Sequence, residues 1–176
     1  MSSKEEILTK LNQQIPTTLE YEVPFSICED TVEVFTINLK NAGGKIYLHS
    51  DISQIYPKSQ QIIDTTKEVS YDKYDLEKTD LLILKGLFGV AQNGAIWIET
   101  HQYPKELITL AQNIVIILDK DDIVSNMQEA YNKIDFEKIS TGIFISGPSK
   151  TADIEQALVI GAHGAVSLSV ILQMSS

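Results

Sequence analysis

The chain has 176 residues, with 14 lysines, no arginine and 24 acids, giving a formal net charge of −10. That charge repels phosphate backbones and acidic membrane surfaces, and no basic patch offsets it, so neither nucleic acid nor a membrane is expected as a partner. With 43% apolar and 22% charged residues the composition is that of one ordinary globular domain over 1–176, able to build a core without staples.

No apolar run approaches the roughly 20 residues of a bilayer span. The first residues, M-S-S-K-E-E-I-L-T-K, carry acids where a signal peptide needs an apolar core, so a cytoplasmic protein is expected. The one cysteine, Cys28, cannot form an intrachain disulfide and by itself cannot hold an iron–sulfur cluster. Without arginine, any anion site must use lysine and backbone N–H groups.

In chain order, Ile7, Leu8 and Leu11 at helical spacing predict an amphipathic helix at about 3–14, capped by Ser2 or Ser3 and blocked by Pro16. A polar connector follows to Phe25. From Asp30, T-V-E-V-F-T-I-N-L-K-N-A-G-G places Val32, Phe35 and Leu39 on one face, and Gly43 or Gly44 supplies the helix stop. Residues 45–49 read as a first strand, 51–56 as a short helix ending near Pro57, and 61–64 as a second short strand.

Residues 68–79 are a charged surface stretch, and Leu81 to Leu84 form a continuous apolar run suited to a strand buried on both faces. In K-G-L-F-G-V-A-Q-N-G-A-I-W-I-E-T, Asn93-Gly94 between two β-rich runs predicts a hairpin. After Pro104 come a short helix at 106–111 and a buried strand at 114–118. Asp119 to Asp122 are expected to open a helix through Tyr131, with Ile123, Met127 and Ala130 inward. Strands at 143–145 and 166–172 flank a Ser-Gly-Pro-Ser turn and a predicted helix at 152–160. The alternation implies a three-layer α/β sandwich with a mostly parallel sheet and one hairpin.

The turn from Ser146 to Thr151 is the first candidate site. Its hydroxyls, backbone N–H groups and Lys150 would face a helix amino terminus, which suits a phosphate or carboxylate. The alternative is that Ser149 or Thr151 caps the helix while Gly147 and Pro148 shape the turn. Lys150 is either an anion contact or, if desolvated, a nucleophile or base. Asp153 and Glu155 are two positions apart and would point in different directions on a helix, so they form no acid–base dyad. His163, between glycines, titrates near neutrality, but a helix at 152–160 would hold it on the order of 13 Å from Lys150. It reads equally as a structural histidine beyond a helix end.

Glu99 and His101 follow the hairpin, as His49 and Asp51 follow the first strand. The three histidines are too scattered for metal-ligand spacing, so no metal and no cofactor is expected. Asp119, Asp121 and Asp122 suit a helix start without Mg²⁺. Trp97 alternates with Ile96 and Ile98 and reads as packing. No G-x-G-x-x-G, Walker or G-x-S-x-G motif is present.

Ser146 to Glu155, S-G-P-S-K-T-A-D-I-E, followed by G-A-H-G at 161–164, closely resembles the signature of the LUD domain family, typified by lactate utilisation protein C, which runs S-G-P-S-R-T-A-D-I-E and then G-V-H-G-P. Lys150 stands where the family has arginine and Ala165 where it has proline. Ala91 and Gly94 match the family's A-E-T-G-T, in which Gln92 and Asn93 replace its acid and threonine. The arginine at Lys150's position argues for a retained positive charge and against Schiff-base chemistry.

The resemblance implies the fold group of ribose-5-phosphate isomerase, glucosamine-6-phosphate deaminase and CoA transferases. It also implies a non-redox role in the oxidation of L-lactate to pyruvate beside an iron–sulfur protein partner. On that footing Gln92, Asn93, Gly94, Ser146, Gly147, Ser149, Lys150 and Thr151 would contact a small carboxylate or phosphorylated metabolite. Lys150, Asp153, Glu155 and His163 are the catalytic candidates, and a homo-oligomer stays open. The alternatives are a free-standing isomerase or acyl-transferase-like enzyme, and an interaction module with a degenerate site.

Overall fold

A computed structural model describes residues 30–48, 51–101, 103–137, 141–154, 157–160 and 164–174. The helix expected at 3–14 lies outside them. Helix α1 (Thr31–Asn41) starts where Asp30 accepts the N–H groups of Val32 and Glu33, and buries Phe35 and Leu39. Beyond its last turn Gly43 takes φ +96°, a conformation open to a residue without Cβ, as the Gly-Gly stop predicted.

Strand β1 (Lys45–Leu48) and helix α2 (Ile52–Ile55), capped by Asp51, come next. Strand β2 (Ile62–Asp64) and two 3₁₀ turns lead to β3 (Leu81–Lys85). The hairpin strands β4 (Phe88–Val90) and β5 (Ala95–Glu99) precede α3 (Leu107–Leu110) and β6 (Asn113–Asp119). Then follow β7 (Ile123–Val124), α4 (Met127–Lys133), β8 (Gly142–Ile145), β9 (Lys150–Ile154), β10 (Ala157–Ile160) and β11 (Ser167–Gln173).

Five strands form an all-parallel sheet in the order β1-β11-β6-β3-β2. Its two faces are set by the period of two along each strand. Leu82, Leu84, Ile116, Leu118, Val170 and Leu172 face one core with Phe35, Leu39, Ile96 and Ile98. Leu81, Ile83, Val115 and Ile171 face the other, covered by Ile52, Ile55 and Tyr56 around α2.

The expected hairpin is present but belongs to a second, mixed sheet, β7-β4-β5-β8, which the sequence did not announce. Its far side packs Phe88, Val90 and Trp97 against Ala130 and Ile134 on and after α4. Trp97 is indeed packing: its ring lies 4.7 Å from that of Phe144, and a side-chain carbon on Gly142 would fall 2.2 Å from the indole.

Two helix expectations fail. The one from Asp119 through Tyr131 is divided: a 3₁₀ turn at Lys120–Asp122 leads into β7, and α4 starts only at Met127, capped by Asn126. The neighbouring β-branched pair Ile123-Val124 instead extends the mixed sheet, with Gly89 aligned to Ile123. The helix at 152–160 is an antiparallel pair, β9 with β10, in which Lys150 aligns with Ile160. A nine-residue amphipathic segment gains little as a lone helix in water, so strand pairing of Thr151, Ile154, Val159 and Ile160 overrides the acidic first-turn pattern.

Candidate functional site

The carboxyl end of α1 gathers both sequence landmarks. Asn38 donates through Nδ2 to the carbonyls of Ala91 (2.8 Å) and Gln92 (3.2 Å), clamping the hairpin turn onto the helix. Gly94 closes that turn at φ +66°, and a Cβ there would lie 2.4 Å from the Leu39 nitrogen. Only glycine satisfies both demands. Asn93 accepts the N–H of Ala95 at 3.0 Å, and Gln92 Oε1 accepts the N–H of Met127 at 3.1 Å, satisfying a donor at the start of α4.

The second turn docks on the first. Ser146 Oγ donates to the Asn93 carbonyl at 3.0 Å. Gly147 passes so close to α1 that a Cβ would sit 2.3 Å from the Ala42 oxygen. The Lys150 ammonium donates to that same carbonyl. This places a cation against the partial negative charge of a helix carboxyl end, the reverse of the helix amino terminus expected to cradle an anion. Ser149 gives its N–H to the Ala165 carbonyl at 2.9 Å, ahead of β11.

The turn follows β8, a member of the mixed sheet, and it reaches the amino ends of β1 and β11. Open α/β sheets bind their ligands at the opposite, carboxyl rim. Gln92, Asn93, Ser146 and Lys150 are exposed, whereas Gly94 is buried. Thr151 and Asp153 lie within β9. Glu155, His163, His49 and Cys28 lie outside the described residues.

Asn38 was missed by sequence reasoning. Its only signal was a polar side chain, half buried, one position before the core residue Leu39. A second group lies at the carboxyl rim of the parallel sheet; of its lining residues only Glu99 was singled out in the sequence, together with His101. There Thr65, Lys85, Leu87, Glu99 and Tyr103 line a cleft of about 290 Å³. His101 stands beside it, with Nδ1 3.6 Å from Glu99 Oε2.

A larger, polar cleft of about 850 Å³ lies at the amino rim, lined by residues including Lys73, Lys78, Asp80 and Gln112. Asp80 holds its shape by accepting the N–H groups of Gln60 (2.8 Å) and Gln61 (2.9 Å). Among the described residues no group of three histidine, cysteine or acidic side chains could hold a metal ion, and no helix is long and apolar enough to cross a membrane.

Lactate utilization protein C of Oceanobacillus iheyensis is 28% identical over 103 residues, covering 54% of this chain and 44% of that one. The protein of the same name from Bacillus pumilus is 34% identical over 86 residues, covering 45% and 36%. That from Anoxybacillus flavithermus is 33% identical over 85 residues, covering 47% and 39%. The aligned stretch is thus less than half the length of each of these relatives.

A crystal structure of a DUF162 family protein from Deinococcus radiodurans shares the fold, with a TM-score of 0.60 at 14% identity, covering 85% of this chain and 99% of that one. The sequence profile of the LUD domain matches residues 1–173. This chain belongs to the LUD domain family.

Proposed function

We propose that this lactate-utilisation-type protein is a non-redox subunit that binds a small carboxylate or phosphorylated metabolite at the joined turns. One observation carries the reading: the 3.0 Å bond from Ser146 to the Asn93 carbonyl gathers the two family-like motifs into a single exposed rim. Lys150 spends one of its three ammonium donors on Ala42 and keeps two for an anion. Ser146, its hydroxyl hydrogen committed to Asn93, can accept from a hydroxyl of the metabolite but cannot donate to its anion, whereas the Asn93 amide nitrogen can donate.

In this reading the chain contributes recognition to the conversion of L-lactate to pyruvate, and an iron–sulfur partner carries the electrons, because one cysteine cannot hold a cluster. The all-parallel five-stranded sheet supports a place in the three-layer group of ribose-5-phosphate isomerase, glucosamine-6-phosphate deaminase and CoA transferases.

The same bonds favour a second reading. Gln92, Asn93, Ser146 and Lys150 each serve the frame, as expected of an interaction module whose site has degenerated. Thermal-shift titration with L-lactate, pyruvate, ribose 5-phosphate and acetyl-CoA separates the two. A ligand at one hundred times its Kd adds about 2.7 kcal/mol of stability, which a melt resolves easily. A stabilising ligand whose effect disappears in Lys150→Ala supports the binding subunit. No shift with any of the four, together with retention of an iron–sulfur protein by the immobilised chain, supports the interaction module.

A further inference from the structure

We propose that the cleft at the carboxyl rim of the parallel sheet is a separate binding site for a small zwitterion of the α-amino acid class. Its walls come from the carboxyl ends of three strands: Thr65 follows β2, Lys85 ends β3 and Glu99 ends β5, with Leu87 and Tyr103 completing the enclosure. These residues are scattered over the sequence and share no motif. The parallel register of β2 with β3 and the turn-back of the β4–β5 hairpin bring them together.

The chemistry of the lining selects the class. Lys85 and Glu99 line the same space of about 290 Å³; among the described residues no ion pair joins them to each other, and the neighbour that reaches Glu99 is the His101 imidazole, 3.6 Å away. Opposite charges that share a cleft without neutralising each other complement a ligand carrying both signs. A carboxylate would meet Lys85, and an ammonium would meet Glu99, whose side chain is 25% exposed. Charge-assisted hydrogen bonds of this kind are the strong ones.

Thr65 Oγ1 donates to the Ile83 carbonyl at 2.9 Å, which leaves its oxygen free to accept from the same ammonium. Leu87 and the Tyr103 ring offer an apolar wall for a short side chain. The Tyr103 hydroxyl beside this wall is buried and has no hydrogen-bond partner among the described residues. The volume lies at the lower limit of small-molecule pockets, which suits an amino acid and is too small for a nucleotide. The net charge of −10 repels free anions from the surface at large but leaves a zwitterion indifferent.

This inference is independent of the rim at Lys150, and the test reads the two places separately. Amide chemical shifts of the ¹⁵N-labelled full chain are followed during titration with L-alanine, L-lactate and propionate. L-alanine is expected to move the amides of Thr65, Lys85, Leu87, Glu99 and Tyr103, and to bind there at least tenfold more tightly than L-lactate or propionate, which lack the ammonium. Shifts at Asn93, Gly94, Ser146 and Gly147 instead report on the other site.

Lys85→Gln and Glu99→Gln, both near-isosteric changes at a solvent-facing cleft, should each weaken L-alanine at least tenfold with an unchanged melting temperature. Still cleft amides under millimolar L-alanine overturn the proposal. So does equal affinity for propionate, or undiminished binding in both variants.

Discussion

The side chain of Lys150 reaches back to the carbonyl of Ala42, tying the late Ser-Gly-Pro-Ser turn to the carboxyl end of the first described helix. The lysine therefore acts as a helix-end cation before it meets any ligand. Lys150→Ala should lower stability only modestly, by about 0.3–1 kcal/mol, because the group is exposed. Lys150→Arg should restore that loss. Urea denaturation of the three proteins checks the order, and a loss above about 3 kcal/mol would show that Lys150 is not merely an exposed cap.

Gly94 is held by two constraints at once, a positive φ and the backbone of α1 at Leu39. Gly94→Ala should cost more than 2 kcal/mol, roughly, since the turn must either strain or leave the helix. A shift of the urea midpoint measures it. Asn38→Ala, which removes the two clamps on the same turn, should cost about 1–3 kcal/mol through unsatisfied carbonyls.

Leu118 is fully buried between the two sheets. Leu118→Ala should destabilise by about 2–5 kcal/mol, with the spread set by how far the neighbouring side chains collapse into the cavity. Leu48→Ala, on an exposed side chain in β1, should change the melting temperature little in comparison.

The Asp80 carboxyl accepts the backbone N–H of Gln61 and then that of Gln60, and these bonds hold its pKa below the usual carboxylate range. A depressed folded-state pKa contributes stability that is present above the ordinary aspartate pKa of about 4 and is lost as pH falls through the lowered value. Asp80→Asn cannot ionise. The gap in urea midpoint between wild type and variant should therefore be widest at neutral pH and narrow steadily below about pH 4. A gap that widens on acidification would contradict the sign.

Much of the parallel sheet was legible because its strands obey local rules. Leu81 to Leu84 is apolar at every position, and both of its faces are buried. Asp30 at one end and Gly43 at the other delimit α1 by capping chemistry alone. The segment after Pro148 was misread because its acidic first-turn signals favour a helix, while the pairing of β9 with β10 and anchors elsewhere in the chain decide its form. Ser149 commits its N–H to Ala165, and Lys150 commits its ammonium to Ala42. Ile123-Val124 was missed for the same reason, since its partner Gly89-Val90 lies in another part of the chain. Of the carboxyl-rim cleft the sequence marked only Glu99, with His101 after the hairpin, because Thr65 and Lys85 join it only after three strands have found their order.

The strand order carries a consequence for synthesis. β1 pairs with β11, Lys45 opposite Ser169, and β11 also covers the flank of β6. While the ribosome still holds Ser167 to Gln173, the nascent polypeptide has an unfilled slot between β1 and β6, with apolar Val115 and Ile116 at its border. Completion of the sheet must therefore wait until β11 has emerged from the ribosome. Such long-range closure is slow, and it leaves a sticky edge open to chaperones or to neighbouring nascent chains in the interval.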